Sequence, residues 1–233
     1  MSTWISDKVR ALLRAWFRPG FRPGFQGAAP GRAIRPALLG LVLPLAGCFG
    51  QDTGALGFLA SGNEEMARDV LRKVSLYEGD VVVRGPGGYC IDRRTLRKRA
   101  DGGFALLASC ETLSGLRGQD VEPVVMTVSV MPDTPGATRP GADQIAALMA
   151  PAEVLARHET ADVAMVQFAS GGDGVLPNGD PRHWRGGMRL NGHVIGLALY
   201  ARKGSALAGK DGRALMADLA RTIRRSSPER APE

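Results

Sequence analysis

Asn191-Gly192 stands between two apolar runs, Trp184–Leu190 and His193–Ala201, and it leaves the C-terminal part of the chain little choice. Both central residues of a type I′ turn need positive φ, which Asn and Gly tolerate, so the runs are expected to pair as an antiparallel hairpin. The second run is apolar on both faces, with Ile195, Leu197 and Leu199 against Val194 and Ala198. That pattern suits a strand inside a sheet with both sides covered. Asp211 is the expected N-cap of a following helix, which carries Leu215, Leu219 and Ile223 in one stripe.

Upstream, short strands are expected at about 80–84, 89–92, 103–110, 124–131 and 163–168, separated by turn residues such as Gly85-Pro86-Gly87-Gly88. In the 124–131 run, Met126, Val128 and Val130 alternate with Thr127 and Ser129. A helix is expected from a Ser61/Glu64 capping box to about Val74, with Met66, Val70 and Val74 on one face. A weaker one spans Gln144–His158, interrupted at Pro151. The order implies an α+β fold, a mostly antiparallel β-sheet with an N-terminal and a C-terminal helix packed on it. One domain covers 63–225, followed by a polar tail over 226–233 expected to be disordered. The hairpin-then-helix end resembles the α/β sandwich of the PsbP and Mog1 proteins.

Of the 30 basic residues, seven lie within residues 1–36 against one acid, Asp7, so the rest of the chain is nearly neutral at +1. The basic character belongs to a leader, and a nucleic-acid partner is not expected. The leader is read as residues 1–47. Its n-region is long and carries a tandem Phe-Arg-Pro-Gly at 17–24, so residues 1–31 are read as a gene-model extension with the natural start near Arg32. The apolar stretch Ala37–Gly47 is too short, at 11 residues, to span a bilayer of about 30 Å.

A basic segment, a short apolar core and small residues before a Cys form an export pattern. Leu45-Ala46-Gly47-Cys48 resembles the lipobox of bacterial lipoproteins. The resemblance implies a diacylglycerol on the Cys48 thiol, cleavage after Gly47 and acylation of the new amino terminus. Acyl chains at one residue would hold the protein to a membrane, facing the periplasm. Phe49 stands where an inner-membrane retention signal would place Asp, which implies the outer membrane. Gly-rich residues 48–62 then read as a tether.

Lipidation removes Cys48 from the count of three cysteines and leaves Cys90 and Cys110. An oxidising compartment favours pairing them, and the Cys-x-x-Cys spacing of a redox pair is missing. Between them, Arg93, Arg94, Arg97, Lys98 and Arg99 put five cations into seven residues. They form either a solvated loop or an anion-binding site braced by the bridge. An acidic saccharide, a lipid phosphate or an acidic protein face would suit such a site.

Other patterns carry less. Gly204–Lys210 has phosphate-loop spacing but is followed by Asp211 in place of the metal-binding hydroxyl. His158, His183 and His193 lack metal-ligand spacing, though His183 and His193 could approach across the hairpin. The 171–180 loop departs from a calcium loop. No metal, cofactor or catalytic residue is assigned. The expected function is a lipid-anchored envelope protein with a non-catalytic binding or scaffolding role. The alternative is an exported envelope hydrolase using an acid or histidine near the 183–200 hairpin, which a pocket joining His183, His193 and a carboxylate would favour.

Overall fold

The structure, a computed structural model, describes residues 70–230. The leader, Cys48 and the tether lie outside the described residues. Eleven strands are found among those described: β1 Val70–Leu71, β2 Lys73–Leu76, β3 Val81–Arg84, β4 Tyr89–Asp92, β5 Arg97–Arg99, β6 Gly102–Ser109, β7 Val124–Val130, β8 Val154–Glu159, β9 Ala164–Phe168, β10 Gly179–Leu190 and β11 His193–Arg202. The helices are α1 Cys110–Ser114, α2 Ala142–Leu148 and α3 Lys210–Ser226. Nine strands make one antiparallel sheet in the order β1-β4-β6-β7-β11-β10-β9-β8, with β5 beside β6, and β2–β3 form a separate ribbon. The α+β class is therefore observed.

The β10–β11 hairpin forms around Asn191 and Gly192, both at positive φ (48° and 83°), and β11 sits between β10 and β7. Residues directly opposite one another in paired strands share a sheet face. One face, carrying Trp184, Gly186 and Met188 of β10 with Ile195, Leu197 and Leu199 of β11, is covered by α3 and the β2–β3 ribbon. Met216, Leu219, Ala220 and Ile223 form the buried seam of α3, at the three-and-four spacing of an amphipathic helix. A Cβ on Gly186 would meet the Met216 sulfur at 2.9 Å, so the residue there must be small for α3 to seat. The opposite face is packed by α2 where Ala142 and Ile145 meet Ala164, Val166 and Phe168.

The described part of the expected N-terminal helix is strand. Val70 and Val74 fit a helical face, but Val74 pairs with Val83 and Leu76 with Val81 in the ribbon. Val74, Leu76, Val81 and Val83 thereby bury one face of the ribbon against the core. The middle helix likewise ends at Leu148, and residues 154–159 pair with β9, since Pro151 cannot continue a helix and frees the next residues to extend the sheet.

Asp211 lies in the first turn of α3 but does not cap it; Gly209 holds the N-cap position, and Ser205 caps the preceding 3-10 turn. The expected loose tail is in contact with the domain as far as Arg230. The Ser227 hydroxyl accepts the Val82 amide at 2.9 Å, and Arg230 pairs with Asp80 at 2.7 Å.

Candidate functional site

The two cysteines meet where β4 and β6 run side by side. Tyr89 pairs with Ser109 and Cys90 with Ala108, and this register brings the sulfurs of Cys90 and Cys110 to disulfide-bonding distance with their Cα atoms 4.8 Å apart. A bridge closing 20 residues is expected to stabilise by about 3 kcal/mol, chiefly by restricting the unfolded chain. A Cys90→Ser/Cys110→Ser variant should therefore unfold at a lower urea midpoint by that amount, and reductant should move wild type to the same place. A wild-type midpoint indifferent to reductant, with two titratable thiols in the folded state, would refute the bridge.

Within the loop so closed, the five cations are exposed but do not converge. Asp92 caps the 3-10 turn Arg93–Thr95, accepts the Arg94 amide at 2.9 Å and pairs with the Arg94 guanidinium at 3.1 Å. Arg97, Lys98 and Arg99 form β5, opposite Phe104, Gly103 and Gly102. Alternation along the strand then sends Lys98 to the side of the β2–β3 ribbon and its two neighbours to the other.

His183 and His193 lie apart. Their register, His183 opposite Tyr200 and His193 opposite Leu190, puts them at opposite ends of the hairpin, roughly 24 Å apart along the strands. His193 shares the face of Leu190 and His183 the face of Tyr200, so the two rings also point to opposite sides of the sheet. A pocket joining both is not what this topology builds. His158 is exposed on β8.

Each buried histidine has its own surroundings. His183, 1% exposed, is stacked between Phe168 and Tyr200 at 5.5 Å from each, and neither ring nitrogen has a hydrogen-bond partner of good geometry. Burial, reinforced by the neighbouring Arg185 charge, pushes its pKa down to about 3. Arg185 itself is buried and lies over the Tyr200 ring at 5.2 Å, a cation–π contact strengthened by its desolvation.

At the other end, His193 stacks on Tyr77 at 4.4 Å, and its Nδ1 is 2.7 Å from the Met131 carbonyl. A carbonyl only accepts, which assigns that proton to Nδ1. Its Nε2 faces the Asp80 carboxylate at 3.4 Å, and Asp80 also holds Arg230.

Beside this corner lies a concave groove of about 410 Å³, lined on one side by Ser75–Gly79 and on the other by Lys98–Ala100, with Gly103 at its base. Tyr77, Glu78 and Gly79 turn with φ of 48°, 56° and 108°. Two successive non-glycine residues in that region cost about 1–2 kcal/mol each. The Tyr77 ring on His193 and its hydroxyl donating to the Val130 carbonyl at 3.3 Å hold the turn in place.

Among solved structures, a weak likeness is found to the Ran-binding protein Mog1p of Saccharomyces cerevisiae. The likeness has a TM-score of 0.38 at 10% identity, over 66% of this chain and 92% of that one, and bears on neither ligand nor partner. No protein-family profile and no curated protein matches the chain in sequence.

No group of three or more metal-ligating side chains is found among the described residues, and no described helix is long and apolar enough to cross a membrane. Asp180 in the 171–180 loop is used internally. The Arg182 guanidinium and backbone amides bonded to it hold its carboxyl below the usual range. The phosphate-loop spacing at 204–210 is spent on the 3-10 turn that starts α3.

Sequence reasoning misses Tyr77–Gly79 because β2, the strand that leads into them, reads as the end of a helix. It misses Arg185 although the signal is there: a basic residue alternating with Trp184 and Gly186 in a strand covered on both sides must be buried.

Proposed function

We propose that this protein is an exported, lipid-anchored component of the bacterial cell envelope, held to the membrane through Cys48, with a non-catalytic binding role served by the Arg93–Arg99 hairpin. One observation carries the reading: Cys90 and Cys110 lie at bonding distance, which leaves Cys48 as the odd cysteine, at the end of a lipobox-like segment. Paired cysteines suit an oxidising compartment, and a lipidated Cys48 accounts for the third.

The binding role is supported by the exposed cations on β5 and its preceding turn, set on a loop whose start is pinned at Cys90. Against an envelope partner, charge-assisted hydrogen bonds to phosphate or carboxylate groups would supply the affinity. The hydrolase reading would be favoured by His183 and His193 in one pocket, and the hairpin register separates these two residues.

Fractionation of a Gram-negative host expressing the full chain tests the anchor. Wild type is expected in the detergent phase with acyl-modified Cys48, and Cys48→Ala in the soluble periplasmic fraction or as uncleaved precursor without acyl groups. A native product in which Gly47 is still joined to an unmodified Cys48 overturns the reading.

A further inference from the structure

From the way β1 joins the sheet, we infer a docking surface for this chain's own segment 58–69: the sheet face turned away from α3, with Arg97 and Arg99 at its rim. The inference goes beyond the function proposed above and holds with or without the acyl anchor. For the cationic hairpin it adds an internal competitor to any envelope partner.

The surface is a strip that runs across several strands. Pairing registers put Arg97, Phe104 and Ser129 in one row and Leu106, Thr127, Ala198 and Arg185 in the next, and residues opposite one another share a face. Of the described helices, α3 packs on the other face and α2 seats on β8, β9 and β10. The strip over β6 and β7 is left without a described helix of its own. It is nevertheless not a polar face. Phe104, Leu106 and Val125 are half-buried on it, and Arg185 and Ala198 are buried. A sheet face meant for water would alternate to polar side chains here.

Strand direction brings the occupant to this strip. β1 pairs antiparallel with β4, Val70 opposite Asp92. The backbone at Val70, followed toward its N-terminus, therefore points to the Arg93–Thr95 turn and to the end of β6 where β5 lies. From β1 to β6 is two strand spacings, about 10 Å. Five residues can span about 17 Å, so Glu64 and Glu65 are within reach of β5.

Charge and apolar content match. Residues 58–69 carry Glu64, Glu65 and Asp69 against one cation, Arg68. Arg97 and Arg99 are exposed and, by alternation along β5, lie on the strip's side of the sheet, whereas Lys98 lies on the other. Phe58, Leu59 and Met66 offer apolar surface for Phe104, Leu106 and Val125. A segment joined to the domain at Val70 also meets this face at an effective concentration of about millimolar, an advantage that no separate partner shares.

The test is hydrogen exchange, read by mass spectrometry on fragments covering 58–69, in the full chain carrying Cys48→Ala, which has no acyl group. Amides there are expected to exchange about tenfold more slowly than in an isolated peptide of the same sequence. Arg97→Glu/Arg99→Glu should abolish that protection, and Lys98→Glu should leave it within about twofold. Adding Glu64→Arg/Glu65→Arg to the first variant should restore it, because the swapped charges attract again. β5 is exposed along its length, so the β5 substitutions do not touch the core.

Exchange at the peptide's rate in the unaltered segment overturns the inference. So does protection that survives Arg97→Glu/Arg99→Glu, an equal loss in Lys98→Glu, or no recovery in the combined variant. Fractionation of wild type reads the anchor separately, so a chain that is anchored yet shows no protection at 58–69 defeats this inference alone.

Discussion

Lowering the pH from about 7 to about 3 is expected to remove on the order of 4 kcal/mol of folding stability through His183 alone. In the folded chain its pKa is pushed down to about 3 from an ordinary 6.5, first by burial and then by the adjacent Arg185 charge. Between those two values the unfolded chain binds a proton at this residue that the folded chain refuses. The stabilisation is thus present in full above about pH 6.5 and is lost as pH falls through the window, at about 1.4 kcal/mol per unit.

The upper half of the window isolates the effect. Asp180 and Glu159 also have depressed pKa values and lose stability in acid, but from ordinary carboxylate values of 3.8 and 4.5. Urea midpoints compared between pH 6.5 and pH 5 should fall by about 2 kcal/mol in wild type. In His183→Leu, which keeps an apolar filling between Phe168 and Tyr200, they should stay nearly flat. Equal slopes in the two proteins would show that His183 takes up its proton in the folded state without penalty.

The surroundings of His183 are partly legible in the sequence. Counting outward from Asn191-Gly192 pairs Leu190 with His193 and hence His183 with Tyr200. The separation of the two histidines is therefore simple arithmetic on residue numbers. Turn chemistry is local, and local signals survive.

The helix expected to end at Val74 does not form, for the opposite reason. Val70 and Val74 satisfy both a helical and a strand pattern, and what decides between them is Val81–Val83, across a turn made by residues of unusual φ. The same holds at residues 154–159, where a weak helical pattern yields to backbone pairing with β9.

The candidate site divides along the same line. That five cations lie between two cysteines is plain in the sequence, and so is the pairing of those cysteines. Which of them lie beside the groove is not, because it depends on the register of β5 against Gly102 and Gly103 and on a ribbon whose turn lies about twenty residues earlier. A groove made of two segments distant in sequence, neither with a motif, is legible only once the sheet has brought them together.

Truncating Trp184 to Ala should cost more than any other single change proposed for this chain, about 4–6 kcal/mol, a large share of the 5–15 kcal/mol that ordinary domains have. Trp184 is 2% exposed and packs on the α3 face of β10, and its indole N–H donates to the Gly209 carbonyl at 2.9 Å. Gln167, its cross-strand neighbour, donates to the adjacent Ala208 carbonyl at 2.6 Å. The two side chains together hold the turn from which α3 starts, and α3 covers the larger core.

Loss of the indole removes about 3–5 kcal/mol of packing and leaves the Gly209 carbonyl short of its donor, about 1 kcal/mol more. Trp184→Phe separates the two contributions. It retains most of the packing and should cost about 1–2 kcal/mol. Amide exchange should speed up at the start of α3, at Arg213, in both variants, while the amides of β6 and β7 respond only to the global loss in Trp184→Ala. A Trp184→Ala chain within about 1 kcal/mol of wild type would mean that α3 does not depend on this turn for its place.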